Sequence, residues 1–304
     1  MSVFPIDANK KPNASASGLM QRFSIEVMPR TAAKVESFRA ILPKGTRVYV
    51  AHIEGTMIDD MIATAKRLTD EGFVAMPHIP ARIVPDRARL KTWLKRYRDE
   101  AGVSQALVLA GSPKAPLGDF HSAIQLLETG LFDQLGFNRL HVAGHPEGNK
   151  DIDTRGGTRL VDDAAKWKSD FANRTDAKMA MVTQFAFDAD PVLNWARRMQ
   201  AAGVDLPIHV GVAGPTKLNT LIKFAIACGV GPSLKVLKKR ALDLTKLAAP
   251  FEPTDVINAV SEGHAAGQAG LIESIHLFPL GGIKASANYA TAFGNDAGHQ
   301  RAMG

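Results

Sequence analysis

Short runs rich in Val, Ile, Ala, Leu and Phe alternate with amphipathic stretches along the chain from residue 22 onward, and this alternation constrains the fold more than any other feature. The extended runs are 22–28 (RFSIEVM), 46–52 (TRVYVAH), 74–80 (VAMPHIP), 105–111 (QALVLAG), 139–145 (RLHVAGH), 178–187 (KMAMVTQFAF), 207–213 (PIHVGVA) and 270–278 (GLIESIHLF). Helical patterns fall at 31–41, 58–71, 85–100, 120–130, 158–173, 190–202, 216–227 and 284–293. In the stretch 190–202, Asp190 is placed as a cap, Pro191 as the first helical residue and Gly203 as the stop. Strand–helix repeats in this number predict an α/β fold, a single (β/α)8 TIM-type barrel. An open doubly wound sheet is the competing architecture, but no G-x-G-x-x-G follows the first strand.

The segment 229–269 is too long for an ordinary connection and predicts extra helices, 233–247 and 253–266, before the last strand. Residues 1–20 carry Ser, Asn and Pro and read as a flexible N-terminal tail, leaving 21–304 as one barrel domain.

Composition narrows the function classes. Hydrophobic residues make up 45% and charged residues 22% of 304, as in an ordinary globular chain. The single cysteine, Cys228, excludes an internal disulfide, a multi-cysteine zinc site and an iron–sulfur cluster. No apolar run reaches the ~18 residues of a membrane span, and residues 1–20 lack the apolar centre of a signal peptide, so a cytoplasmic protein is expected. The net charge of +7 is scattered. Its densest cluster, Lys235, Lys238, Lys239 and Arg240, has no interleaved aromatics and reads as a solvated helix face, so no nucleic-acid partner is expected.

In a barrel, chemistry collects at the C-terminal ends of the strands. Period-two alternation puts Ser24, Glu26 and Met28 on one face of the first strand. A carboxylate there needs either a catalytic purpose or a basic partner such as Arg47 or Lys178. In the sixth strand, Lys178, Ala180, Val182, Gln184, Ala186 and Asp188 share the inward face. Gln184 offers donors and an acceptor suited to a flat heterocycle, or it is a satisfied core amide. His52, His78, His145 and His209 lie in or at the ends of strands. With no His-x-His pair on the first strand and no H-E-x-x-H helix, they suit ligand phosphates or loop caps better than a metal, and no metal is expected. Glycines in LVLAGSP and HVAGHPEGN let a ligand approach the backbone, or simply make tight turns.

Four motifs in order resemble the methylenetetrahydrofolate reductase family. FSIEVMPRT (23–31) is similar to its S-F-E-F-F-P-P-K/R-T opening strand, and HVAGHPEG (141–148) to V-A-G-Y-P-E-G-H. VTQFAFD (182–188) is similar to I-T-Q-F-F-F-D, and AAGVDLPIHVGVAGP (201–215) to A-A-G-I-D-V-P-I-I-P-G-I-L-P. The resemblance implies a flavin-containing barrel that interconverts 5,10-methylenetetrahydrofolate and 5-methyltetrahydrofolate, with FAD as cofactor and NADH or NADPH as co-substrate. A non-redox folate-dependent methyl-transfer or folate-binding barrel is the alternative.

By the same resemblance Glu26 is the general acid and Gln184 contacts the folate. His78 matches the histidine of P-H-L-T-C at the flavin, His145 replaces a tyrosine of the flavin loop, and Lys168 holds the flavin's phosphate tail. Two strand ends depart from the pattern. His52 stands where the second strand reads V-T-Y-G, and Ala110 and Ser112 replace the Arg and Asp of A-L-R-G-D. With Ser112 at that position, Glu54, Asp119 and Glu147 become candidates to stabilise a cationic iminium. A place in methionine supply and self-association as a homo-oligomer are compatible with the resemblance.

Overall fold

In the computed structural model, residues 14–227 and 251–301 are described. Strands β1 (Ser24–Val27), β2 (Arg47–Val50), β3 (Val74–Pro80), β4 (Gln105–Leu109), β5 (Arg139–Gly144), β6 (Lys178–Ala186), β7 (Ile208–Ala213) and β8 (Ile272–Phe278) close a barrel in chain order. The expected (β/α)8 architecture is therefore observed. Helices α1 (Ala14–Met20), α2 (Pro29–Ala32), α3 (Ile58–Asp70), α4 (Arg87–Ala101), α5 (Ala123–Glu128) and α6 (Leu131–Gln134) occupy the first half. They are followed by α7 (Arg159–Ala172), α8 (Ala189–Ala201), α9 (Leu218–Ala227) and the helices Thr254–Ala265 and Ile283–Arg301. The chain divides into two compact units, one of Ser24–Ala143 with Ala165–Val182, the other of the remaining described residues.

In the first unit the strands pair in parallel, with Glu26 opposite Tyr49, Tyr49 opposite Met76 and His78 opposite Leu107. Alternation turns Tyr49, Met76, Leu107 and Val182 into one apolar cluster, flanked by Leu109. Outside the strands, α3 buries Met61, Ile62, Ala65 and Leu68, the spacing of one helical face, against β2, β3 and α4. Helix α4 is bounded by its own sequence: the Asp86 carboxylate accepts the Arg89 amide at 2.7 Å, and Gly102 turns left-handed after its last turn.

The pattern at 31–41 does not become one helix. It forms only α2 and a 3₁₀ turn at Phe38–Ala40. The reason lies on α3. The Arg67 guanidinium takes the carbonyls of Ala32, Val35 and Glu36 at 3.0, 2.6 and 3.1 Å, and the Glu71 carboxylate accepts the Phe38 amide at 2.7 Å. Backbone groups that a helix would have used internally are satisfied instead by two distant side chains.

In the second unit β7 and β8 run parallel from Ile208–Ile272 to Ala213–Phe278. Phe185, Phe187, Ala213, Leu218, Leu221 and Phe251 form its apolar cluster, each such ring or leucine stabilising the fold by roughly 1.5–3 kcal/mol on burial. Gly211 has no room for a side chain, since a Cβ there would lie 2.4 Å from the Thr183 carbonyl oxygen. Residues 14–20 are helical rather than a loose tail. Ala16, Leu19 and Met20 are buried as α1 packs on β8 and on the helices Thr254–Ala265 and Ile283–Arg301. Helix α8 starts two residues before the expected point, capped by Asp188 rather than Asp190. Of the two extra helices, 253–266 is found as Thr254–Ala265. The other, 233–247, lies outside the described residues, as do Cys228, the 235–240 basic cluster and residues 1–13.

Candidate functional site

Glu26 is the third residue of the four in β1, and His78 is the fifth of seven in β3, so both stand toward the C-terminal ends of their strands. Alternate strands of a barrel contribute to the same layer of inward side chains, which brings β1 and β3 residues together across β2. His78 Nε2 lies 3.2 Å from Glu26 Oε2. The approach is off the direct hydrogen-bonding line, and Nε2 has no other partner. Their side chains are 11% and 19% exposed, so the carboxylate keeps access to solvent while the imidazole is nearly enclosed. The partner of Glu26 is thus His78, and neither Arg47 nor Lys178; the Arg47 guanidinium instead donates to Gln105 at 3.0 Å. Pro77 and Pro80 flank His78 and fix the backbone on both sides of it.

His52, just beyond β2, is 7% exposed. Its Nε2 lies 3.1 Å from the Thr56 carbonyl oxygen, an acceptor, so the proton is assigned to Nε2 and Nδ1 carries a bare lone pair. Nδ1 is buried with no partner. Burial, and to a lesser extent the neighbouring His78, pushes His52 down to about 4, so its ring is neutral at pH 7. The ring also lies 5.6 Å from that of Trp93 on α4. Glu26, His78 and His52 are therefore one cluster, whereas the sequence motifs place them in three separate segments.

Lys168 projects from α7 to donate to the Ala143 carbonyl at 2.9 Å, near the C-terminal end of β5. It is 6% exposed, and burial alone pulls its ammonium down to about 8. No carboxylate pairs with it among the described residues, and a buried cation without a counter-charge is a natural seat for a ligand anion.

Ser112 is exposed in the loop after β4. Gly111 before it has φ of 95°, and a Cβ there would lie 2.8 Å from that of Pro80, so glycine is required at this turn. Arg82 organises the same loop, a role the motifs did not reveal. Its guanidinium donates to the carbonyls of Pro113 at 3.0 Å and His121 at 3.3 Å, and its own carbonyl accepts the Leu117 amide at 2.8 Å. The signal available in the sequence was its place two residues after Pro80, at a strand end. Glu54 and Asp119 are exposed on the loops that follow β2 and β4.

The remaining expected residues belong to the second unit. Gln184 is exposed on β6, not a satisfied core amide, while neighbouring Thr183 is buried and accepts the Gly211 amide at 2.9 Å. His145 is half-buried in the loop after β5, its carbonyl accepting the Gly148 amide at 3.1 Å. Glu147 is half-buried in that loop. The amides opening α7 are already taken: Asp153 accepts those of Leu160 and Val161 at 2.9 and 3.1 Å. His209 is the second residue of β7, at its start rather than its end. It lies 3.0 Å from Glu273 through Nε2 and 3.2 Å from the Ser274 hydroxyl through Nδ1.

No protein-family model matches the chain. Among solved structures, the fold is similar to that of an uncharacterized protein from Clostridium thermocellum that binds two copies of 5-methyl-5,6,7,8-tetrahydrofolic acid. The TM-score is 0.52 at 12% identity, over 91% of this chain and 96% of the other. At that identity the likeness is one of fold. Among the described residues, no helix is long and apolar enough to cross a membrane.

Proposed function

We propose that the barrel binds a reduced folate at the C-terminal ends of its strands and reduces 5,10-methylenetetrahydrofolate to 5-methyltetrahydrofolate, with Glu26 as general acid. The observation that carries this reading is the Glu26 carboxylate itself, set inside an apolar strand, held beside His78 and still 19% exposed. Support comes from the four family-like motifs and from the folate bound by the similarly folded Clostridium protein.

The first unit also carries groups that fit a flavin nucleotide. Lys168 offers a buried ammonium without a carboxylate partner among the described residues, and His52 Nδ1 is an orphaned acceptor. Lys168 would hold the phosphate-bearing tail, with His52 and Ser112 along the same ligand. Bound FAD would supply the hydride, received in turn from NADH or NADPH. Glu26 protonates the folate nitrogen that departs as the methylene bridge opens: its O–H bond breaks and an N–H bond forms. The carboxylate left behind stabilises the cationic iminium electrostatically. Gln184, exposed on β6, has an amide with the donors and acceptor that suit a flat heterocycle.

The test is Glu26→Gln in the full chain. NADH or NADPH should still bleach added FAD, while methylene-folate turnover stalls; unchanged turnover removes Glu26 from the role. Ala110 and Ser112 at the end of β4 favour one second reading, a folate-binding barrel without redox chemistry. Tight binding of 5-methyltetrahydrofolate without any uptake of FAD would select it.

A further inference from the structure

The resemblance assigns His78 to the flavin, yet its Nε2 faces Glu26 at 3.2 Å and has no other partner. The geometry points to His78 as the positioning residue for Glu26: a small turn of either side chain lets it donate Nε2–H to Oε2, leaving Oε1 as the oxygen that carries the acid proton toward the folate. This rests on the general-acid reading above and deepens it.

The surroundings suit that task. From β1, Glu26 is the charged group that meets the imidazole. From β2, the Tyr49 ring meets it edge-on at 6.1 Å between centroids, and His52 lies close enough for His78 to disfavour its protonation. From β4, the paired residue is Leu107, which is apolar. Tyr49 is itself engaged, its hydroxyl 2.5 Å from His141 Nδ1. Burial holds the Tyr49 phenol well above its usual range, so it remains a neutral neighbour.

The catalytic consequence is a contact that strengthens along the reaction. A neutral carboxylic acid accepts an ordinary hydrogen bond at Oε2. Once the Oε1–H bond breaks and the folate nitrogen gains its proton, the same contact becomes charge-assisted, roughly twice as strong. An interaction that is stronger after proton transfer raises kcat and leaves substrate binding nearly unchanged.

The test uses the full chain, saturated with FAD, and methylene-folate. His78→Phe keeps a ring against Tyr49 but removes the donor, and kcat should fall at least tenfold with KM within threefold. His78→Gln restores an N–H donor and should recover most of the loss. Full kcat in His78→Phe once FAD is saturating would make His78 a flavin ligand and overturn the proposal. A second readout needs no turnover: the ¹⁵N resonance of His78 Nε2 should move in Glu26→Gln, because its partner changes from carboxyl to amide. Identical resonances in the two proteins would also overturn it. A wild-type protein that binds folate without reducing it, with the resonance still moving, fails the reductase reading but leaves the His78–Glu26 contact standing.

Discussion

Two histidine–glutamate contacts, one in each unit, use the same residue types at opposite ends of their strands. His78 and Glu26 meet near the C-terminal ends of β3 and β1, and His209 and Glu273 meet near the starts of β7 and β8. Around His209 both ring nitrogens are engaged, Nε2 by Glu273 and Nδ1 by Ser274, and Glu273 is 40% exposed. Around His78 the contact is off-line and Nε2 has nothing else to bond, while Glu26 is more enclosed. The first arrangement is closed and fixes strand ends. The second leaves a carboxylate beside a donor and still partly open to solvent. In a barrel, chemistry at the C-terminal ends and stability at the N-terminal ends is the general division of labour.

The largest expected effect separates the two pairs directly. Glu26→Gln should lower methylene-folate turnover by about 100-fold or more, the usual scale of a lost general acid. Glu273→Gln should leave turnover within twofold in the same assay. Comparable losses in both would erase the distinction between the two ends.

Lys168 sharpens it from another side, as a buried charge with no acid beside it among the described residues. Its ammonium is held at about 8 in the folded chain against 10.5 in the open one. Between those values the unfolded chain holds more protons, so this lysine makes stability climb as pH rises from 8 toward 10.5. Below pH 8 it carries the whole burial cost, about 3 kcal/mol. Lys168→Met should therefore stabilise the ligand-free protein at pH 7 by up to that amount in urea unfolding, yet abolish FAD uptake. A destabilised variant would mean that the Ala143 hydrogen bond outweighs the burial cost.

His52 gives a third test at the acid end. It is held near 4 when folded against 6.5 when unfolded. Its contribution is complete above pH 6.5 and is lost as pH falls to 4, because the unfolded chain binds the proton first. The loss is up to about 3 kcal/mol. His52→Gln keeps an N–H for the Thr56 carbonyl and cannot titrate, so its stability should decline less between pH 6.5 and 4. The smallest effect is expected for Glu273→Gln on stability, below about 1 kcal/mol, because the Glu273 carboxylate, 40% exposed, is screened by solvent.

The strands were legible to within a few residues because inward and outward alternation is a local property. The alternation predicts a strand over 74–80, and β3 spans Val74–Pro80. Glu26 stood out because a carboxylate is costly in so apolar a strand. Its partner did not. The Arg47 and Lys178 candidates came from charge, and nothing within the first strand could indicate an imidazole 52 residues further along. Arg82 was missed for the same reason: its targets are carbonyls on another loop, which have no sequence signature.

By itself the sequence determined the eight-fold alternation, the strand limits, and the inward face on which Glu26 stands, all consequences of side-chain period and backbone preference within a few residues. Tertiary structure alone decided that Arg67 and Glu71 would dissolve the helix expected at 31–41, that residues 14–20 would fold onto the chain, and that Glu26 would answer to His78. Those outcomes depend on which distant polar groups are brought within hydrogen-bonding reach once the strands close, and closure sets distances that local periodicity does not encode.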